Sequence, residues 1–267
     1  MAADPNERLI FLHLPKTAGV NIRELLLREY PGPRSFIRGS PDHRDLFRKS
    51  RKEREAYLVV GGHYRFGLHL LFDSPSRYMT LLRDPLERVN SHFAYIQWQA
   101  LHVWHARIVA AGISLEQWVR SGLADAWDNL QVRRLTLRAD DDVPFGETTR
   151  QMLDEAKRIL SDRIDFLGIT ERYKESVGLF AEQLGWQQPV TIERLNVSPN
   201  RQSAADLPPS ARAAILEHNE FDLELYTFAG DLFERRLSSA ASPRASGLLS
   251  RLAGQVRALR HAGNDRG

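Results

Sequence analysis

The 267-residue chain contains no cysteine, which excludes disulfide bonds, thiolate metal sites and cysteine nucleophiles. It also contains no apolar run near 18 residues, so we predict no membrane-spanning segment. Polar residues 1–8 lead directly into the first apolar run, and we therefore predict no secretory leader. These absences favour a cytoplasmic protein.

The formal net charge is small, at +3, but it is unevenly distributed. Residues 238–267 contain five Arg and one Asp, so the basic character belongs largely to this C-terminal tail. We predict one domain over residues 1–237, which is an ordinary size for an α/β domain. The tail is predicted either to be partly disordered or to form an amphipathic helix that contacts an anionic membrane surface.

Apolar strands alternate along the chain with longer helical stretches, a pattern typical of βαβ units and a parallel sheet. Strands are predicted over residues 9–14, 57–60, 78–82 and 165–169. Helices are predicted over residues 20–30, 85–111, 115–137, 147–160, 171–184 and 208–237. The predicted fold is therefore three-layered α/β, with helices flanking a central parallel sheet. Ligands bind such sheets beyond the carboxyl ends of the strands, so we expect the polar residues there to share one crevice.

The first predicted strand runs into the turn Pro15-Lys16-Thr17-Ala18-Gly19, and a helix is predicted to follow. A strand, a turn and a helix N-terminus together form an anion site, because the turn offers backbone N–H groups and the helix dipole favours negative charge. Lys16 adds a full positive charge. The turn matches only part of the Walker A pattern, since the leading Gly is missing and the Lys precedes the Gly.

This turn resembles the 5′-phosphosulfate-binding loop of sulfotransferases that use 3′-phosphoadenosine 5′-phosphosulfate, in particular those of the carbohydrate type. A second element strengthens the resemblance. Arg83 directly follows the strand predicted at 78–82, and Ser91 lies on the next predicted helix. These are the two positions at which the family's signature binds the 3′-phosphate of the nucleotide. Asp84 is predicted to cap that helix, and Pro85 suits its first turn. Arg83 offers a planar fork of donors to a phosphate dianion.

The resemblance implies a P-loop-like fold and a site for this donor. The residues implied in the donor site are Pro15, Lys16, Thr17, Ala18, Gly19, Val20, Asn21, Arg83 and Ser91. Val20 and Asn21 depart from the family pattern, which has two hydroxyl residues there. Because Val20 cannot hydrogen-bond an anion, we expect donor binding that is weaker or differently oriented.

Gly61, Gly62 and His63 follow the second predicted strand. Glycines let a backbone approach a ligand closely, and the ordinary pKa of a His side chain suits proton transfer near neutral pH. The element resembles the Gly-His motif of the heparan-sulfate and uronyl 2-O-sulfotransferase branch, which implies that His63 is the general base. Gly61 stands where that branch has another His. Glu24 and Glu171 are the alternative bases.

Three further side chains are predicted to contact the acceptor, namely Arg65, Asn129 and Arg134. Residues 195–198 are predicted to close over the nucleotide. The basic run at 44–54 is predicted to be a solvated helix face or a cationic rim that attracts an anionic glycan. Nucleic acid is not expected as a partner. We predict no metal site, because the His residues lack carboxylate or Cys companions at ligand spacing.

The resemblance implies an O-sulfotransferase that moves a sulfuryl group from 3′-phosphoadenosine 5′-phosphosulfate to an acceptor hydroxyl of a saccharide, by in-line displacement. His63 is expected to accept the hydroxyl proton and Lys16 to stabilise charge on the leaving phosphate. Two alternatives stay open. One is a small-molecule kinase with a degenerate phosphate loop, and the other is a nucleotide-binding protein that does no chemistry.

Overall fold

A computed structural model describes residues 7–39, 42–137, 143–186 and 203–240 of the chain. The predicted loop at 195–198 and the C-terminal tail from residue 241 lie outside these residues. The last described helix continues to Ala240, three residues beyond the predicted end of the domain.

One five-stranded parallel sheet forms the centre of the fold, with the strand order β2-β3-β1-β4-β5. The strands are β1 Arg8–Leu12, β2 Ser35–Ile37, β3 Val59–Gly62, β4 Ser76–Leu82 and β5 Ile164–Ile169. β1 is central, and the chain crosses it between β3 and β4, so the strand order reverses there. The predicted parallel sheet is confirmed. The sequence missed β2, a three-residue edge strand that is too short to show a period of two.

Helices connect the strands and cover both faces of the sheet. The helices are α1 Gly19–Glu29, α2 Asp45–Arg48, α3 Arg51–Glu55, α4 Pro85–Trp98, α5 His105–Ala110, α6 Leu115–Arg120, α7 Leu130–Arg134, α8 Arg150–Asp162, α9 Tyr173–Leu184, α10 Pro209–His218 and α11 Glu220–Ala240. Within the described residues, none of these helices is long and apolar enough to cross a membrane.

Alternate residues of each strand point to opposite faces of the sheet, and both faces are apolar. Ile10 and Leu12 pack in the core shared with α8 and α11, whereas Leu9 and Phe11 pack in the core shared with α1 and α9. A third apolar cluster joins α4, α5, α6 and α10 beside the sheet. The predicted three-layer arrangement is therefore confirmed, with a helical subcluster added to it.

The helix predicted at 115–137 is divided into α6 and α7 by residues 121–129, and two other long predicted helices are also interrupted. The helix predicted at 85–111 ends at Trp98, and the Nδ1 atom of His105 lies 2.9 Å from the carbonyl oxygen of Ile96 in its last turn. The helix predicted at 208–237 breaks at Asn219, whose side-chain amide donates to the carbonyl of Ile215 at 2.9 Å. In both cases a side chain hydrogen-bonds a carbonyl of the preceding turn. Apolar periodicity does not reveal such contacts.

A buried ion pair fixes α4 against α7 and α11. The side chains of Arg88 and Asp222 are both fully buried, with Nε and Oδ2 separated by 3.9 Å. The Asp222 carboxylate also accepts hydrogen bonds from the backbone N–H groups of Gln131 and Val132 at the start of α7, at 3.1 and 2.9 Å. Arg88 therefore has a structural role. Its ion pair holds α4 in place, and with it the residues at the start of that helix.

Candidate active site

The segments that follow β1, β3, β4 and β5 meet at one edge of the sheet, as predicted for parallel strands. Arg83, after β4, donates from Nη1 to the carbonyl of Lys16, after β1, at 3.0 Å. The Nδ1 atom of His63, after β3, lies 2.9 Å from the carbonyl oxygen of His13. The Nε atom of Arg83 lies 3.6 Å from a carboxylate oxygen of Glu171, after β5. These contacts bring the four segments together at the point where the strand order reverses.

The turn after β1 contains two left-handed residues. The angle φ is 69° at Lys16 and 62° at Ala18, a region in which non-glycine residues are strained. Ala18 is the N-cap residue of α1, and its side chain makes no capping hydrogen bond. The first N–H groups of α1 therefore need partners from outside the helix. A strained turn leading into an uncapped helix N-terminus suits the binding of an anion.

Other residues of the turn hold it in this conformation. The Thr17 hydroxyl donates to the carbonyl of Leu14 at 2.8 Å and is buried. Its proton is therefore already used, and the predicted contact of Thr17 with the nucleotide would have to come from its backbone N–H. The Asn21 side chain hydrogen-bonds Tyr173 of α9. Pro15 and Val20 are half-buried at the two ends of the turn.

Gly19, the first residue of α1, packs directly against the His13 ring. A Cβ atom at this position would lie 1.8 Å from Cδ2 of His13 and 2.1 Å from Nε2. No Cβ fits at that distance, so a glycine lets α1 start close to the carboxyl end of β1. The same His13 ring also stacks on the His63 ring.

Substituting Gly19 with alanine is expected to lower the free energy of unfolding by about 1–3 kcal/mol, because the added methyl overpacks the His13 ring. Denaturant unfolding of the variant measures the change. Gly178→Ala in α9 is the matched control, since nothing lies within 4 Å of its Cβ position, and it is expected to be neutral or stabilising by up to about 1 kcal/mol. Wild-type stability of Gly19→Ala would show that the turn relaxes freely.

The Lys16 side chain extends from the turn towards α4. Its Nζ lies 4.1 Å from the centre of the Tyr95 ring, a cation–π distance. Tyr95 and Ser91 lie one helical turn apart on α4, so the predicted phosphate ligand and the support of Lys16 share one helix face. Ser91 is 8% exposed. Sequence reasoning did not single out Tyr95, because its contact with Lys16 joins residues far apart in the chain.

Arg83 is held from several directions. Its backbone N–H donates to Oε1 of Gln131 at 2.9 Å, and its carbonyl accepts from Nε2 of the same side chain at 2.8 Å. Its guanidinium contacts Glu87 at 3.2 Å and Glu171 at 3.6 Å. Asp84 caps α4 by accepting from the backbone N–H of Glu87 at 3.0 Å, and Pro85 occupies the first turn, which confirms the predicted start of that helix.

His63 follows β3 and lies between two other histidines. A carbonyl oxygen only accepts hydrogen bonds, so the 2.9 Å contact with His13 assigns the proton to Nδ1 and leaves Nε2 as the basic atom. The His63 ring stacks on the His13 ring at a centroid distance of 4.3 Å and meets the His43 ring edge-on at 6.1 Å. Burial is the main cause that lowers the pKa of His63 to about 4. The imidazole is therefore neutral at pH 7, as a general base must be.

The His63 ring is expected to stay neutral from pH 8 down to about pH 5.5, where an ordinary imidazole is mostly protonated, and to titrate near the pKa of about 4. Nitrogen NMR of the labelled protein measures both the midpoint and the tautomer. The spectrum should show a proton on Nδ1 and none on Nε2. A midpoint near 6.5 or the opposite tautomer would contradict this geometry.

The predicted acceptor contacts have different surroundings. The positive charge of Arg134 contributes to the lowered pKa of His63, so Arg134 is close to that ring. Arg65 is half-buried two residues after His63. Asn129 is a correction, because its side chain is buried and its Oδ1 accepts from the backbone N–H groups of Phe221 and Asp222 at 2.9 and 3.0 Å. That amide anchors α11 rather than an acceptor.

Gly61 and Gly62 also differ from expectation. Both belong to β3 and pair with β1, so neither is in a loop that opens to a ligand. A Cβ on Gly62 would lie 2.8 Å from Cβ of His43 and 2.9 Å from the Tyr64 ring. The close approach that requires glycine is therefore made by protein side chains, and it brings His43 to the edge of the His63 ring.

Candidate metal ligands do not cluster in the part of the chain that the structure describes. That part holds no group of three or more His, Asp or Glu side chains able to bind a metal ion. The nearby histidines His13, His43 and His63 stack as aromatic rings instead.

Comparison with known proteins identifies distant relatives. Over 281 residues the chain is 26% identical to heparan-sulfate 6-O-sulfotransferase 1-B of Danio rerio, covering 85% of this chain and 66% of the relative. Over 278 residues it is 25% identical to heparan-sulfate 6-O-sulfotransferase 2 of Gallus gallus, covering 86% and 68%. The human heparan-sulfate 6-O-sulfotransferase 1 is 27% identical over 188 residues, covering 60% and 44%. No protein-family model matches the chain.

These relatives support a carbohydrate sulfotransferase. They are named for 6-O-sulfation, so the 2-O branch predicted from the Gly-His element is not the one found. That element is short, and a Gly followed by His after a strand does not distinguish branches that act on different hydroxyls. The chain spans about two thirds of the length of the first two relatives and 44% of the human one.

Proposed function

We propose that this chain is an O-sulfotransferase that transfers the sulfuryl group of 3′-phosphoadenosine 5′-phosphosulfate to a 6-hydroxyl of a saccharide. The observation that carries the proposal is the meeting of Lys16, Arg83 and His63 at the ends of the three adjacent strands β1, β4 and β3. The names of the relatives support the saccharide and the 6-position. They do not favour the kinase or the non-catalytic alternative.

The residues at this edge of the sheet fit an anionic nucleotide. Lys16 supplies a cation at the turn, and α1 starts there without a side-chain cap, so a 5′-phosphosulfate would be held by charge and by backbone N–H groups. The proposal assigns the 3′-phosphate to Arg83 and Ser91.

In the proposed reaction, Nε2 of His63 accepts the proton of the acceptor hydroxyl while that oxygen forms a bond to sulfur. The bond between sulfur and the bridging phosphate oxygen breaks on the opposite side, and adenosine 3′,5′-bisphosphate leaves. Lys16 stabilises the negative charge that grows on the leaving phosphate. Arg83 fixes the position of the nucleotide, and thereby the line from hydroxyl to leaving oxygen.

A transfer assay with ³⁵S-labelled donor tests the proposal. Heparan sulfate stripped of its 6-O-sulfates is expected to become labelled, and the same polymer with its 6-positions still sulfated is the matched control that should not. Label in both polymers would place the reaction at another hydroxyl. Absence of label, together with transfer of ³²P from ATP, would replace the sulfotransferase with a kinase.

Replacing Arg83 with alanine is expected to weaken binding of adenosine 3′,5′-bisphosphate by about 10- to 100-fold, since charge-assisted hydrogen bonds to the 3′-phosphate are lost. Titration calorimetry measures the dissociation constant. Turnover at saturating donor should change much less than affinity. Arg158→Ala on the exposed face of α8 is the control and should bind normally. Equal affinity of Arg83→Ala and the wild type would exclude Arg83 from the phosphate site.

A further inference from the structure

Two carboxylates already surround the guanidinium that the proposed function assigns to the 3′-phosphate. Nη2 of Arg83 lies 3.2 Å from Oε2 of Glu87, and Nε lies 3.6 Å from Oε1 of Glu171. A third direction is taken by the carbonyl of Lys16, at 3.0 Å from Nη1. The Arg83 side chain is only 14% exposed. A phosphate dianion that binds here therefore comes close to two negative charges, and at least one must be neutralised or moved.

Glu87 is the less suited of the two to give up its charge. Its Oε1 accepts a hydrogen bond from the backbone N–H of Ala204 at 3.0 Å, while its Oε2 contacts Arg83. Its backbone N–H donates a hydrogen bond to Oδ1 of Asp84. Donors on both oxygens favour the ionised form, and the contact with Ala204 ties α4 to the chain that leads into α10.

Glu171 is surrounded differently. Its Oε2 accepts from the Tyr226 hydroxyl at 2.9 Å, and the backbone N–H of Asp84 is 3.5 Å away. A tyrosine hydroxyl can donate to a carboxylate or accept from a carboxylic acid, so this contact survives protonation. Burial raises the pKa of Glu171 above its ordinary value, although its side chain is still 35% exposed.

The charged and titratable groups that face Glu171 come from several elements. Arg83 at the end of β4 favours its ionised form, while the carboxylate of Asp84, at the start of α4, adds negative charge beside Tyr226 of α11. The neighbouring Arg172 is committed to Glu175 and Glu234. Among the described residues, Arg83 is thus a cation that favours ionised Glu171, and a phosphate bound to Arg83 would compete directly with this carboxylate.

We propose that Glu171 takes up a proton when a nucleotide 3′-phosphate binds to Arg83, so that donor binding is coupled to pH through this residue. The coupling rests on the proposed function. The bound phosphate raises the pKa of Glu171 further than burial alone. Between the pKa values of the free and bound protein, binding takes up a proton and affinity rises as pH falls. Above the pKa of the complex, Glu171 stays ionised throughout and the dependence ends.

Calorimetry of adenosine 3′,5′-bisphosphate at pH 7 in buffers of different ionisation enthalpy tests the coupling, because the enthalpy difference reports protons exchanged per nucleotide. The wild type is expected to take up at least about half a proton more than Glu171→Gln. At pH 8 the variant should bind about five- to tenfold more tightly. The nucleotide's own ionisation is common to both proteins and cancels. Glu182→Gln, which removes an exposed glutamate of α9, is the matched control and should behave like the wild type.

Adenosine 5′-phosphate, which lacks the 3′-phosphate, should show no difference in proton exchange between the wild type and Glu171→Gln. Tight binding of the bisphosphate with equal proton exchange in both proteins would overturn the coupling and leave the sulfotransferase proposal standing. If neither protein distinguishes the two nucleotides, no 3′-phosphate site exists, and both the coupling and the donor assignment fail. Circular dichroism of each variant confirms that it is folded.

Discussion

Replacing His63 with alanine is expected to lower kcat by about 10²- to 10⁴-fold, the usual contribution of a well-placed general base. The His63 ring is neutral at pH 7 because burial lowers its pKa to about 4. Its tautomer is fixed by the carbonyl of His13 at 2.9 Å. The tautomer leaves Nε2 without a proton, and the low pKa keeps it so at pH 7, although it also makes Nε2 a weaker base than an ordinary imidazole. The loss should appear in kcat measured at saturating donor and acceptor.

His218→Ala is the control for this substitution, since His218 ends α10 in the helical subcluster and is expected to leave kcat unchanged. The donor affinity of His63→Ala should stay near that of the wild type, because the proposed reaction assigns this ring to the acceptor hydroxyl and not to the nucleotide. Near-normal turnover of His63→Ala would mean that another residue acts as the base. Glu24 is poorly placed for it, being exposed on α1 and paired with Arg23 at 3.4 Å.

Lys16→Met is expected to lower kcat by about 10²- to 10³-fold, or about 3–4 kcal/mol, because the growing charge on the leaving phosphate loses its cation. Methionine keeps most of the length of the side chain, and the left-handed backbone at φ 69° costs either residue a similar strain. The variant therefore isolates the charge. Steady-state kinetics in both substrates separate kcat from KM.

Lys174→Met, an exposed lysine of α9, is the control for lost surface charge and should leave both constants unchanged. A Lys16→Met enzyme with a raised KM for the donor and an unchanged kcat would mean that Lys16 binds ground state and transition state equally. That result would keep Lys16 in the donor site and remove it from the chemistry.

The central sheet could be predicted from the sequence because its strands are nearly continuous apolar runs, as expected for strands buried on both faces. Because the predicted strands are parallel, Lys16, His63 and Arg83 were expected at one edge of the sheet, beyond the carboxyl ends of the strands. The helix breaks at Trp98 and Asn219 could not be predicted, since each depends on a side chain folding back onto a carbonyl. Those contacts are specified by tertiary packing rather than by periodicity.

The site was predictable to the extent that its residues follow strand ends. The surroundings of each side chain were not. Glu87 lies four residues after Arg83 and could have been noticed from i,i+4 spacing. Glu171 was expected at the site as a candidate base but not as an ion-pair partner of Arg83, and Tyr95 was not expected there. The left-handed angles at Lys16 and Ala18 were not predicted either, because glycine is the residue that normally adopts such angles. The glycine of this turn, Gly19, instead packs against the His13 ring.

The most direct test of the central claim is calorimetric titration of the wild-type chain with adenosine 3′,5′-bisphosphate, with adenosine 5′-phosphate and ATP titrated in parallel, each with and without magnesium. A nucleotide-binding site built from Lys16 and Arg83 predicts tight binding that depends on the 3′-phosphate and not on magnesium. A preference for ATP with magnesium, or equal binding of the nucleotides with and without the 3′-phosphate, would contradict the sulfotransferase account.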